Sequence, residues 1–334
     1  MSIEVHDVRV PAPGAADEAW EVAATIYLPR ALALASGPDI LFLLPGAAYG
    51  RGYFNLPVPG FSEAMYHAGR GNIVVALDYL GAGESSAPEG ATLADAAAST
   101  HHAVTYIAAR LAEGNLLAGL GPVRYGSLVA AGHSLGGHVV VATQGEHGTF
   151  NGIVTLGASV AGTTFPTRAG GTVTDLAEVD YVWVWHWGEV PEVDASVTPT
   201  DLATLAGVDV AAGCPVRTGS VPWSSSAVPP YVGEALAPGV SASYAARITS
   251  PVLLVAAERD VTRSPEEEAA AFSGSTDVAG FTLPETGHLH TFSEHREQLW
   301  KRLDTFVMHA STHDRKVSDT SMAAMAGSMS GDKD

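Results

Sequence analysis

The chain has 334 residues, 46% hydrophobic and only 16% charged, enough to bury a large core and too apolar for a disordered polymer. Its 36 acidic against 17 basic residues give a formal charge of -19, which argues against nucleic acid or an anionic membrane as partner. Cys214 is the only cysteine, so an intrachain disulfide is excluded and the redox compartment is left open. The first residues carry neither a basic nor an apolar leader pattern, and no apolar run approaches the ~18 residues a membrane span needs. A cytoplasmic protein is expected.

Residues 3–10 and 21–28 alternate in polarity and read as an opening antiparallel pair of strands. Residues 40–44 are apolar throughout, as in a strand buried on both faces, and stop at Pro45-Gly46. A helix over 61–68 leads to a buried strand over 72–78. An alanine-rich helix follows over 91–111, capped by Thr92 or a neighbour. A strand over 127–131 enters Gly132-His133-Ser134-Leu135-Gly136-Gly137, and a small-residue helical run follows at once. Strands over 152–157, 251–256 and 276–283 and an amphipathic helix over 292–309 complete the pattern. Strands alternating with helices imply a mostly parallel sheet covered on both faces.

Residues 159–247 break that rhythm with Pro, Gly, Ser, Thr and tryptophan. They are expected to form a cap or lid over the sheet's C-terminal edge, inserted into a core of residues 1–158 and 248–310. Residues 311–334 lack periodicity and read as a disordered tail.

The segment around Ser134 carries the chemistry. A serine between a strand and a helix sits on a sharp turn, and Gly132 and Gly136 supply the room that turn needs. The Leu135 N–H at the helix start would point at negative charge forming beside the serine. A serine hydroxyl needs a base, and the base an orienting acid, both just past later strands. His288, behind Gly287, is the expected base, with His290 as its rival; Asp260 is the expected acid, with Glu258 as its rival. His133 and His138 flank the serine and read as packing or polar-network residues, although His133 also counts among the residues that would meet a substrate. A second oxyanion donor is assigned to the Ala47 N–H, in the small-residue loop after Leu44, where an ordinary Pro-Gly turn is the plain alternative. Residues 78–85, punctuated by glycine, read as a structural turn beside the site.

Taken together, Gly132 through Gly137, Asp78 through Ser85, Asp260 and Gly287-His288 resemble the α/β-hydrolase superfamily over about residues 21–308. The resemblance implies the α/β-hydrolase fold, with a mostly parallel eight-stranded sheet, helices on both faces and a cap insertion. It also implies Ser134 as nucleophile, Asp260 as acid, His288 as base and an oxyanion hole from Ala47 and Leu135. Many relatives have His-Gly after the third strand, where this chain has Pro45-Gly46. Haloalkane dehalogenases and epoxide hydrolases of this fold carry aspartate at the elbow, where this chain has serine.

Trp183, Trp185, Trp187 and Trp223 either pack the cap or meet an apolar substrate; Tyr49, Arg51 and Tyr53 would line an entrance, with Pro222 and Pro229 through Tyr231 a second wall. The expected activity is hydrolysis of a moderately hydrophobic small-molecule ester or lactone, with no metal and no organic cofactor. A C–C bond hydrolase, thioesterase, amidase, perhydrolase, acyltransferase or cyclase would share the machinery, and a non-catalytic ligand-binding protein would share the scaffold. The oligomeric state is open.

Overall fold

The computed structural model describes residues 2–13, 19–30, 37–57, 59–185, 187, 223 and 228–329, with side chains to residue 313. Strands β1 (Ile3–Pro13), β2 (Ala19–Pro29), β3 (Ile40–Leu44), β4 (Ile73–Asp78), β5 (Leu128–His133), β6 (Gly152–Leu156), β9 (Val252–Ala257) and β10 (Val278–Leu283) form one sheet in the order β1-β2-β4-β3-β5-β6-β9-β10. Only β2 runs against the rest, because β1–β2 and β2–β4 pair antiparallel and the remaining pairs are parallel. Two short strands, β7 (Phe165–Pro166) and β8 (Thr172–Val173), make a separate hairpin.

The apolar runs behave as period-2 strands covered twice. Ile40, Phe42 and Leu44 of β3 join one core, while Leu41 and Leu43 point into another across the sheet. Helices α2 (Leu93–Glu113) and α3 (Leu135–His147) supply the first core with Leu93, Val104, Ile107, Val139 and Val140. Helices α1 (Glu63–Ala68) and α8 (Arg296–Met329) supply the second with Ala64, Leu299, Trp300 and Leu303. Thr92 and Asp95 form a capping box at the start of α2, and Gly114, at φ 74°, ends it. Pro11 and Pro13 fall on β1, an edge strand, where a missing N–H costs least.

Within the segment from 159 to 247, the described helices α5 (Val232–Leu236) and α6 (Val240–Ala245) pack on α3, with Tyr231, Ala235 and Ala245 in the first core. These two helices therefore belong to the body, because small and aromatic residues there find an apolar helix face within reach. The tail expected from 311 continues α8 to Met329, as its proline-free, alanine- and methionine-rich composition allows. Between β6 and β9 the described residues also include α4 (Tyr181–Trp185), which reaches the site below, and α7 (Pro265–Ala269) lies between β9 and β10. Cys214, His186 and Pro222 lie outside the described residues. Among the described residues no helix is long and apolar enough to cross a membrane.

His138, one turn into α3, is fully buried and its Nδ1 meets the Ser241 hydroxyl at 2.7 Å, tying α3 to α6. Burial pushes this imidazole down from 6.5 to about 4. As pH falls, the unfolded chain takes up that proton first, so the folded state loses stability from about 6.5 down to about 4. His138 should account for about 2 kcal/mol of the stability lost between pH ~7 and ~5. Urea unfolding at the two pH values should show His138→Gln losing that much less than the parent; identical losses would contradict it.

Candidate active site

The turn from β5 into α3 brings two backbones close together. A Cβ on Gly132 would strike the Gly136 carbonyl and lie 2.6 Å from the Gly137 nitrogen; one on Gly136 would strike the Pro45 and Leu44 carbonyls. Ser134, between them, is held at φ 51°, ψ -121°, a region that L residues rarely adopt. Its N–H donates to the Leu156 carbonyl at 2.7 Å, fixing the turn to the end of β6, and its side chain is partly exposed. The Leu135 N–H is at the first position of α3, where no helical carbonyl lies four residues back to receive it.

Asp260 follows β9 and is buried. Its Oδ1 accepts the His288 Nδ1–H at 2.6 Å and the Val261 N–H at 2.7 Å; its Oδ2 accepts the Ala257 N–H at 2.7 Å and lies 2.9 Å from His290 Nε2. Burial alone would raise this carboxyl, but the charges and hydrogen bonds of His288 and His290 outweigh it and hold the group far below the usual carboxylate range. With Nδ1 committed to Asp260, His288 keeps Nε2 as its basic nitrogen. Glu258, the rival acid, is exposed and accepts the Glu285 N–H at 2.9 Å, bracing the turn after β10.

His133 and Gly157 bring the two halves together. The His133 ring lies 4.7 Å from the His288 ring, and its Nε2–H donates to the His288 carbonyl at 2.8 Å. Burial, then the neighbouring His288 and His290, push His133 well below 6.5, so it stays neutral; it is a buried structural brace, not an open substrate contact. Gly157, directly after the Leu156 that holds Ser134, has φ 63°, and a Cβ there would lie 3.0 Å from His288 Nδ1. Among the described residues no hydrogen bond joins the Ser134 hydroxyl to His288. Such bonds are often long in unliganded sites and tighten when substrate binds.

The loop after β3 presses on the same turn. A Cβ on Gly46 would lie 2.8 Å from His133 Nδ1 and 3.2 Å from Ser134 Cβ, so the loop runs against the serine; Ala48 is held at φ 62°. Asp78, buried at the end of β4, clamps this loop: it accepts the Arg51 N–H at 2.5 Å, the Arg51 guanidinium at 2.6 Å and the Glu84 N–H at 3.0 Å. The 78–85 turn is thus structural, as read. Arg51 is held in ion pairs with Asp78 and Glu84, and Tyr49 and Tyr53 are buried edge to face, so none of these three lines an open entrance. Tyr53 instead stacks on His133 at 5.2 Å. Trp223 is also buried, and its carbonyl accepts the Gly50 N–H at 3.0 Å.

A profile of the Alpha/beta hydrolase family matches residues 41–302, well over half of the sequence. The chain belongs to the alpha/beta hydrolase family. Solved structures with the same fold include an esterase from Pyrococcus furiosus (13% identity, TM-score 0.56, covering 92% of this chain and 91% of that one). A haloalkane dehalogenase loop variant from Bradyrhizobium elkanii is similar (15%, TM-score 0.55, 94% and 99%). So is a thermophilic esterase from Thermogutta terrifontis (15%, TM-score 0.50, 91% and 99%). No curated protein matches the sequence significantly.

In this α/β hydrolase the tryptophan segment docks on the histidine loop through its backbone. The carbonyls of Val184 and Trp185, at the end of α4, accept the His288 and Leu289 N–H groups at 3.0 and 3.2 Å, and the Trp185 ring meets the His288 ring edge-on at 4.9 Å. Arg259, which sequence reasoning passed over, donates to the Trp183 carbonyl at 2.6 Å; its guanidinium lies 4.3 Å from the ring centres of both Trp183 and Trp187. Nothing in its sequence neighbourhood signals this, since Trp183 and Trp187 lie more than 70 residues away along the chain. Tyr231, expected on a second wall, donates its hydroxyl to the Leu80 carbonyl instead. Removing the cation should loosen α4: Arg259→Ala is expected to cost about 1–3 kcal/mol and to shift tryptophan emission to the red. A thermal midpoint and emission spectrum identical to the parent's would contradict this.

Proposed function

We propose that this α/β hydrolase is a serine hydrolase that cleaves a carboxylic ester or lactone of a moderately hydrophobic small molecule through an acyl-enzyme. The reading rests on one observation above all: a strained, partly exposed serine on a glycine-walled turn beside a buried His288–Asp260 pair. The esterases among the structural neighbours lean the same way.

Ser134 Oγ attacks the carbonyl carbon while His288 Nε2 takes the hydroxyl proton. Asp260 holds the imidazole through Nδ1 and stabilises its positive charge. The carbonyl oxygen becomes an oxyanion between the Ala47 and Leu135 N–H groups, which are positioned before charge develops. The intermediate collapses, the carbon–oxygen bond to the leaving group breaks, and His288 hands its proton to the departing alkoxide. Water then loses a proton to His288 and attacks the acyl-enzyme; Ser134 leaves with that proton and the carboxylic acid departs. Trp185, in contact with His288, offers an apolar wall to the substrate.

The test is a panel of p-nitrophenyl esters, lactones, thioesters and amides with parent protein and Ser134→Ala. Esters or lactones should turn over in the parent and fall by at least about 10³-fold in the variant. Equal turnover by both proteins on every compound would end the assignment.

A further inference from the structure

The network around Asp260 contains more than a triad requires. A carboxylate has about four lone-pair sites, and Asp260 has a donor for each: the Ala257 amide at the end of β9, the Val261 amide next to it in sequence and two imidazoles from the turn after β10. We infer that His290 is a positioning residue, a second imidazole donor that holds Asp260 Oδ2 so that Oδ1 stays aimed at His288 and shares its charge between two partners. This role rests on the serine-hydrolase reading above.

The tautomer supports it. An ionised Asp260 can only accept, so the proton between it and His290 resides on Nε2. His290 Nδ1 is then bare, and it is buried with no hydrogen-bond partner among the described residues. A buried imidazole must satisfy its one donor, and here that donor falls on the carboxylate that faces His288. The rings facing His290 are His133 at 5.4 Å and His288 at 6.4 Å; its neighbour Thr291 donates its N–H to the Tyr53 hydroxyl and its own hydroxyl to Glu63 of α1, both at 3.4 Å. Arg259 is the neighbouring cation on Asp260's own loop.

Removing the Nε2–H concentrates negative charge on the side facing His288, so the imidazolium of His288 should persist to higher pH. ¹⁵N-imidazole titration of the full chain tests this without requiring turnover, with His288 assigned against His288→Gln. In the parent, His290 should show its proton on Nε2 and none on Nδ1. The His288 midpoint should rise by roughly half a unit or more in His290→Leu and move by less than about 0.2 unit in His290→Gln, whose amide can still donate. A parent His290 protonated on Nδ1, or an unmoved His288 midpoint in folded His290→Leu, would overturn the proposal. If the leucine variant does not fold, the parent tautomer decides. Labelling of Ser134 by a fluorophosphonate separates the two readings. Its acid limb should follow the His288 midpoint across the variants, whereas no labelling of a parent that shows the expected titration would defeat the hydrolase reading and leave only the Asp260–His290 geometry standing.

Discussion

The near-contact of two backbones at Gly132 and Gly136 is the constraint from which the rest of the site follows. With no Cβ on either side, β5 runs straight into α3, and Ser134 has no relaxed conformation that connects them. A positive-φ serine costs about 1–3 kcal/mol and persists only where its surroundings leave no alternative. Those surroundings are the Leu156 carbonyl on one side, the Pro45–Gly46 loop on the other and the first turn of α3 ahead. Each holds the turn from a different side, and together they leave the Ser134 side chain partly exposed.

Around that turn lies a polar cluster with little water to solvate it. Asp260, His288, His290 and His133 are all buried, and charges in such a place are tolerated only when fully hydrogen-bonded. Asp260 meets that condition with donors at every oxygen lone pair, while His133 meets it by staying neutral. The same economy extends outward. The end of α4 gives up its carbonyls to His288, Leu289 and Arg259, so the tryptophan segment and the histidine loop are one mechanical unit. A movement that lifts α4 must break bonds to the loop that carries His288.

Much of this was legible in the chain. The fully apolar strands announced a two-sided sheet, since nothing else buries residues such as Ile40 through Leu44 on both faces. Gly132-x-Ser134-x-Gly136 announced the turn because close approach has a residue signature. Asp260 was separable from Glu258 by its distance past the strand end, and the structure places Glu258 in solvent. What stayed hidden depends on partners far away in sequence. His290 is an ordinary histidine until β9 delivers Asp260 to it. Arg259 is an ordinary loop cation until α4 brings two indoles to its faces. Tyr49 and Tyr53 look like entrance residues until the Asp78–Arg51 clamp folds their loop inward. The packing of α5 and α6 on α3 was missed because those segments are short and weakly periodic, and their helical form comes from the surface that receives them.

The most direct test of the central claim is a crystal structure of the protein after reaction with a small alkyl fluorophosphonate. The account predicts phosphorus bonded to Ser134 Oγ, a phosphonyl oxygen about 2.7–3.1 Å from both the Ala47 and Leu135 nitrogens, and His288 Nε2 facing the bonded oxygen. An adduct on another residue, or one on Ser134 whose oxygen points away from both amides, would contradict it.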